Sequence, residues 1–166
     1  MTKHIDPISR SVEAIAALLM AAKLKIATAE SCTGGWIAQS ATQLAGSSDW
    51  FDCGFVTYSN ESKQHMLGVS AKTLQCFGAV SAEVVKEMVC GAIKQSQAKI
   101  AVAVSGIAGP AGGSREKPVG TVWIAWVMDG TEPMARLFQF QGDRSDIRRQ
   151  TVVCALEGIE ALLKKT

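Results

Sequence analysis

The sequence predicts an α/β domain with a mostly parallel β-sheet and one antiparallel member. Three observations carry that prediction. Segments rich in β-formers alternate with amphipathic helical segments over the first two-thirds of the chain. The run Ile100-Ala101-Val102-Ala103-Val104 is continuously apolar, as in a strand buried on both faces. Two further β-rich segments meet at Asp129-Gly130, a hairpin signal late in the chain. With 166 residues, 48% hydrophobic and 19% charged, the chain has the length of one domain and the apolar content of a real core.

In order, the first helix is predicted from Ser11, where Val12, Ile15, Ala16, Leu19 and Ala22 recur at helical spacing. Residues 1–8 are expected as a flexible tail on a single domain spanning 1–166. Lys25 to Ala29 reads as a strand, followed at once by the turn Glu30-Ser31-Cys32-Thr33-Gly34-Gly35 and a helix from Gly35 to Leu44. Phe51 to Tyr58 reads as the second strand. Short helices are predicted over Asn60–Leu67 and Ala71–Phe77, and a longer one capped by Ser81 and running to Gln97. After the strand at 100–104 comes a glycine-rich loop, Ser105 to Pro118. Strands over Val119–Val127 and Met134–Phe140 follow, then a last helix from Asp143. In such folds ligands gather at the carboxyl ends of strands, so the segments after the first three strands are the places to look.

Composition excludes several functions. A net charge of +2 without a run of one sign argues against nucleic acid or a membrane surface as partner. The N-terminal MTKHIDPISR lacks the apolar stretch of a signal peptide, and Ile15–Ala22 is too short to span a bilayer, so a soluble cytoplasmic protein is expected. The five cysteines, Cys32, Cys53, Cys76, Cys90 and Cys154, form no C-x-x-C pair and are expected as reduced thiols, with no metal site.

The chain has two histidines, His4 in the expected tail and His65 on a helix with no motif around it. A hydrolase built from this sequence would therefore take its base from lysine or tyrosine. The segment Thr57-Tyr58-Ser59-Asn60-Glu61-Ser62-Lys63 offers both, with Tyr58 the one tyrosine of the chain. The turn at Glu30–Gly35 places Ser31 beside the free N–H groups that open a helix, where they could hold an oxyanion or a phosphate. Simple N-capping by Ser31 or Thr33 is the plainer alternative, and Cys32 is a second candidate nucleophile. The loop Ser105-Gly106-Ile107-Ala108-Gly109-Pro110-Ala111-Gly112-Gly113 could cradle an anion. It has neither the Gly-Lys-Ser/Thr of a P-loop nor the spacing of a dinucleotide fold. Arg144 and Arg148 stand at a helix start, where the dipole disfavours cations, which suggests a bound phosphate or carboxylate.

Taken in order, Thr28-Ala29-Glu30-Ser31-Cys32-Thr33-Gly34-Gly35, Gly54-Phe55-Val56-Thr57-Tyr58-Ser59-Asn60 with Lys63, Ser105-Gly106-Ile107-Ala108-Gly109-Pro110 with Gly112-Gly113, Lys117-Pro118-Val119-Gly120-Thr121-Val122 and Gly142-Asp143-Arg144 resemble the C-terminal domain of CinA proteins in its standalone nicotinamide-nucleotide amidase form. The resemblance spans nearly the whole chain. It implies a single-domain three-layer α/β/α sandwich with a mixed sheet. It also implies hydrolysis of nicotinamide mononucleotide to nicotinate mononucleotide and ammonia in bacterial NAD recycling, with no metal or organic cofactor. Carried onto this sequence, Ser31 is the nucleophile and Lys63 and Tyr58 share the roles of base and proton relay. Backbone N–H groups around Thr33, Gly34 and Gly35 would hold the oxyanion. Asn60, Ser105, Gly106, Gly109, Arg144 and Arg148 would line the substrate, with either the glycine loop or the arginines on its phosphate. A homodimer or higher homo-oligomer is expected. Three alternatives remain at this point: a nucleotide-binding or regulatory module without turnover, a Ser-Lys hydrolase of another amide or ester, and a competence-linked interaction protein.

Overall fold

The computed structural model describes residues 6–165. Five strands, β1 (Ile26–Glu30), β2 (Phe51–Val56), β3 (Ile100–Gly106), β4 (Thr121–Met128) and β5 (Met134–Gln139), form one sheet in the order β2-β1-β3-β4-β5. β1 pairs parallel with both β2 and β3, and β4 pairs antiparallel with both β3 and β5. Only β4 therefore runs against the rest, as the hairpin at Asp129-Gly130 foretold.

Helices cover both faces. α1 (Pro7–Ala22), α2 (Trp36–Thr42) and α6 (Arg144–Leu163) lie on one side, where Ile15, Leu19, Ile37, Leu156 and Ile159 pack on Ile100, Val102, Val104 and Ile124. α3 (Asn60–Leu67), α4 (Ala71–Phe77) and α5 (Ala82–Lys94) lie on the other, where Val85, Met88 and Val89 pack on Ala101, Ala103 and Ala125. The apolar run at 100–104 thus hides a period of two, with β-branched residues toward α1 and α6 and alanines toward α5. Small side chains on that second face let α5 lie close to the sheet.

α1 starts four residues earlier than its apolar stripe suggests. Asp6 caps it by accepting from Ser9 N at 3.3 Å, Pro7 opens the helix, and Ile8 is buried. The tail expected over 1–8 is corrected at its end: residues 7 and 8 belong to the helix, and 1–5 lie outside the described residues. The Asp-Pro pair was the start signal. β2 stops at Val56, releasing Thr57 and Tyr58 from the sheet, and β4 begins at Thr121 because 117–120 fold back on the glycine loop.

α5 also positions α3. A Cβ built on Gly91 would stand 2.0 Å from the Leu67 carbonyl oxygen at the end of α3, so the helices meet backbone to side-chain-free surface. Gly91→Ala is expected to lower stability by about 1–3 kcal/mol in urea unfolding, since no rotamer change relieves a clash with a carbonyl. Among the described residues no helix is long and apolar enough to cross a membrane, and no cluster of His, Cys, Asp or Glu could hold a metal ion.

Candidate active site

The site forms where β1, β2 and β3 end. The strand ladder continues one residue past each end: Ser31 N donates to Val104 O at 3.1 Å, and Thr57 N donates to Glu30 O at 2.8 Å. These bonds hold Ser31 and Thr57 on adjacent strand tips. α3 then starts at once, capped by a reciprocal Ser59–Ser62 box. That early start places Lys63 one turn in, pointing back toward β1.

Lys63 is 1% exposed, and its Nζ lies 3.0 Å from Ser31 Oγ, 2.8 Å from Thr57 O and 3.5 Å from Tyr58 O. No carboxylate forms an ion pair with it among the described residues. Burial without a counter-ion pushes the amine below the ordinary lysine value. A buried serine hydroxyl against a lysine whose charged form burial disfavours is the arrangement of an activated nucleophile.

Cys32 is less suited to the role of nucleophile. Its thiol is buried, and desolvation pushes its pKa up to about 12, with the Glu30 carboxylate adding to the rise. A thiol that stays protonated at neutral pH is a poor nucleophile. His65 is exposed and touches none of these groups.

Sequence reasoning missed Glu30. Its side chain is fully buried and turns under the nucleophile loop, where Oε2 accepts from Thr33 Oγ1 at 2.6 Å, Gly35 N at 3.1 Å and Ile37 N at 3.0 Å. Oε1 accepts from Ala38 N at 2.8 Å and Thr28 Oγ1 at 3.4 Å. The open end of α2, expected to hold a substrate anion, is therefore filled by the protein's own carboxylate. The Gly35 N–H goes to Glu30 and the Gly34 N–H to Ser31 O. That leaves the N–H groups of Cys32 and Thr33, which donate to no carbonyl or carboxylate among the described residues. The signal available in the sequence was an acid placed just before a helix that has no other side-chain cap.

The remaining expected residues divide into two groups. Tyr58 is 63% exposed and its hydroxyl accepts from Arg144 Nη2 at 3.2 Å; only its carbonyl approaches Lys63. Arg144 Nη1 donates to Gly109 O at 2.7 Å. Tyr58, Arg144 and Gly109 thus form one rim, continuous with a cleft of about 670 Å³ lined by Ala108, Pro110, Val119, Asp143 and Arg148. Arg148 reaches the other way, donating from Nε to Cys32 O at 3.1 Å and from Nη2 to Thr33 O at 2.8 Å. Asn60 is exposed at the first position of α3.

Ser105 and Gly106 each have a close partner within the fold. Ser105 Oγ is buried and donates to Ala79 O at 2.7 Å. A Cβ on Gly106 would stand 2.6 Å from Val122 Cγ2, so close strand packing asks for this glycine.

The sequence profile of the CinA C-terminal domain matches residues 9–163. The chain is 53% identical over 145 residues to nicotinamide-nucleotide amidohydrolase PncC of Escherichia coli (strain K12), covering 87% of this chain and 88% of that protein. It is 51% identical over 155 residues to the protein of the same name from Pseudomonas putida, covering 93% and 96%. Among solved structures, the competence/damage inducible protein CihA from Agrobacterium tumefaciens superposes with a TM-score of 0.93 at 44% identity, covering 98% of this chain and 99% of that one. With its fold, its identity to these relatives and a profile match over nearly its full length, the chain belongs to the CinA C-terminal domain family.

Proposed function

We propose that this protein hydrolyses the carboxamide of nicotinamide mononucleotide, giving nicotinate mononucleotide and ammonia. The observation that carries the reading is the buried contact of 3.0 Å between Lys63 Nζ and Ser31 Oγ, with no carboxylate on the lysine. The names of the E. coli and P. putida relatives supply the substrate.

Neutral Lys63 takes the Ser31 hydroxyl proton as Oγ bonds to the carboxamide carbon, which the cationic pyridinium ring makes electrophilic. The carbonyl oxygen becomes an oxyanion and meets the Cys32 and Thr33 N–H groups. The Lys63 ammonium returns its proton to the amide nitrogen, the C–N bond breaks and ammonia leaves. A water then gives a proton to Lys63 and attacks the acyl ester. The C–Oγ bond breaks, the proton on Lys63 returns to Ser31, and the carboxylic acid product departs, losing its remaining proton to solvent or to the released ammonia. Tyr58, its hydroxyl on Arg144 rather than on Lys63, lines the substrate cleft in this scheme and carries no proton.

Arg144 holds the phosphate. It is exposed at the cleft, and one of its partners is a tyrosine hydroxyl that can turn to accept or donate. Arg144→Ala is expected to raise KM for the mononucleotide about tenfold or more, the loss of a charge-assisted hydrogen bond, with a smaller change in kcat. An unchanged KM would move the phosphate to the glycine loop. The deciding test of the whole reading is ammonia release from nicotinamide mononucleotide by the wild-type protein and by Cys32→Ala. Release by both supports it. Binding of the mononucleotide without release would make the chain a nucleotide-binding module instead.

A further inference from the structure

Arg148 has two donors within reach of the nucleophile turn, and both end on backbone carbonyls. In a trans peptide unit the C=O and N–H point to opposite sides, so a donor that fixes the carbonyl also aims the amide hydrogen. Arg148 Nε donates to Cys32 O at 3.1 Å, and the N–H of that same peptide unit belongs to Thr33. Arg148 Nη2 donates to Thr33 O at 2.8 Å; that unit's N–H, from Gly34, donates to Ser31 O at 3.1 Å; and the N–H of the Ser31 peptide unit belongs to Cys32. The two branches end on Cys32 N–H and Thr33 N–H, the pair in this turn that no carbonyl or carboxylate accepts from. The guanidinium is itself held over the Trp36 ring, 5.4 Å from its centroid.

We propose that Arg148 is a positioning residue for the oxyanion hole, acting through two short chains of peptide hydrogen bonds. It rests on the amidase reading. Its charge polarises each chain in the direction that makes the terminal N–H a better donor, since hydrogen bonds linked head to tail strengthen one another. It also locks the peptide planes, so the donors need no reorganisation when negative charge develops on the substrate oxygen. This explains a cation in the first turns of α6 without a phosphate. Glu30 fixes the turn from beneath through Thr33 Oγ1 and Gly35 N, while Arg148 fixes its carbonyls from above.

The test separates transition-state from ground-state loss. For wild type, Arg148→Lys and Arg148→Ala, kcat and KM are measured by ammonia release from nicotinamide mononucleotide. The Kd for the same mononucleotide is measured by calorimetry in Ser31→Ala and Ser31→Ala/Arg148→Ala. We expect Arg148→Ala to lower kcat about 100-fold, the cost of a disturbed oxyanion donor, with KM and Kd within about threefold. Arg148→Lys, which regains one of the two contacts and keeps the charge, should recover part of kcat, and it carries the test if Arg148→Ala does not fold. A Kd or KM raised tenfold with kcat retained would make Arg148 a phosphate ligand and overturn the proposal, as would unchanged kcat in either variant. Wild-type protein that releases no ammonia overturns the amidase reading itself, an outcome read before any Arg148 variant is made.

Discussion

Ser31→Ala and Lys63→Met should each lower kcat for ammonia release by about 10³-fold or more while leaving the protein folded. Members of a nucleophile–base pair act as one unit, so removing either removes the same step, and the double variant should be little worse than either alone. Lys63→Arg should be as inactive as Lys63→Met, because a guanidinium does not deprotonate and cannot accept the serine proton. The pH dependence follows from the direction of the Lys63 shift. Burial lowers its pKa, and the neutral amine is the competent form, so kcat/KM should rise with pH through that lowered value and be lost as pH falls below it. The acid limb should therefore lie below the ordinary lysine pKa of about 10.4. Stability carries the same signature. Between the folded and unfolded lysine values the unfolded chain binds the extra proton, so stability should rise with pH across that window, and Lys63→Met should flatten the rise. An acid limb that survives unshifted in a residually active Lys63→Met would assign the base elsewhere.

Glu30 should be the most damaging position for stability. Its carboxylate is fully buried and satisfies three backbone N–H groups and two hydroxyls. Glu30→Ala takes the acceptor from all five donors, Gly35 N and Ala38 N in part-buried contacts and the others in buried ones, and leaves a small cavity; we expect a loss of about 3–5 kcal/mol in urea unfolding. Glu30→Gln keeps the volume but offers one acceptor oxygen. Its amide nitrogen must then face either the Ala38 N–H or the cluster at Oε2, for a loss of about 1.5–3 kcal/mol. Full stability in Glu30→Ala would mean that water replaces the carboxylate without cost, and would remove the scaffold on which the nucleophile turn is argued to rest.

The architecture was legible because its signals are local and repeated. The stripe from Val12 to Leu19, the Ser81 cap and the hairpin at Asp129-Gly130 each act within a few residues, and α1, α5 and the β4–β5 hairpin lie over those signals, with α1 starting four residues sooner. Ser31 and Lys63 were legible as candidates for a similar reason, since each follows closely on a strand end. Their contact was not, because it depends on how far α3 swings back toward β1. Glu30 was passed over because an acid at a strand end carries no pattern; its donors come from Thr28 to Ala38 only once the turn has closed. Arg148 reads from the sequence as one candidate for a phosphate or carboxylate, beside the glycine loop, and its contacts with Cys32 and Thr33 are not legible because they lie 116 and 115 residues away. No spacing rule reaches that far. Pro7 is the opposite case, a short-range start signal that the weak apolar pattern around it obscured.

Cys32 sits beside the nucleophile yet is sealed off, its thiol held protonated by burial and by the charge of Glu30. Reagents that seek thiolates should therefore pass it by. Iodoacetamide or dilute peroxide should mark the exposed Cys76 on α4 and leave turnover intact. If Ser31 is the nucleophile, as proposed, deamidation should continue under oxidant that inactivates thiolate-dependent hydrolases. On that proposal, covalent inhibitors should be those that trap a hydroxyl, as boronates or strained carbonyls do.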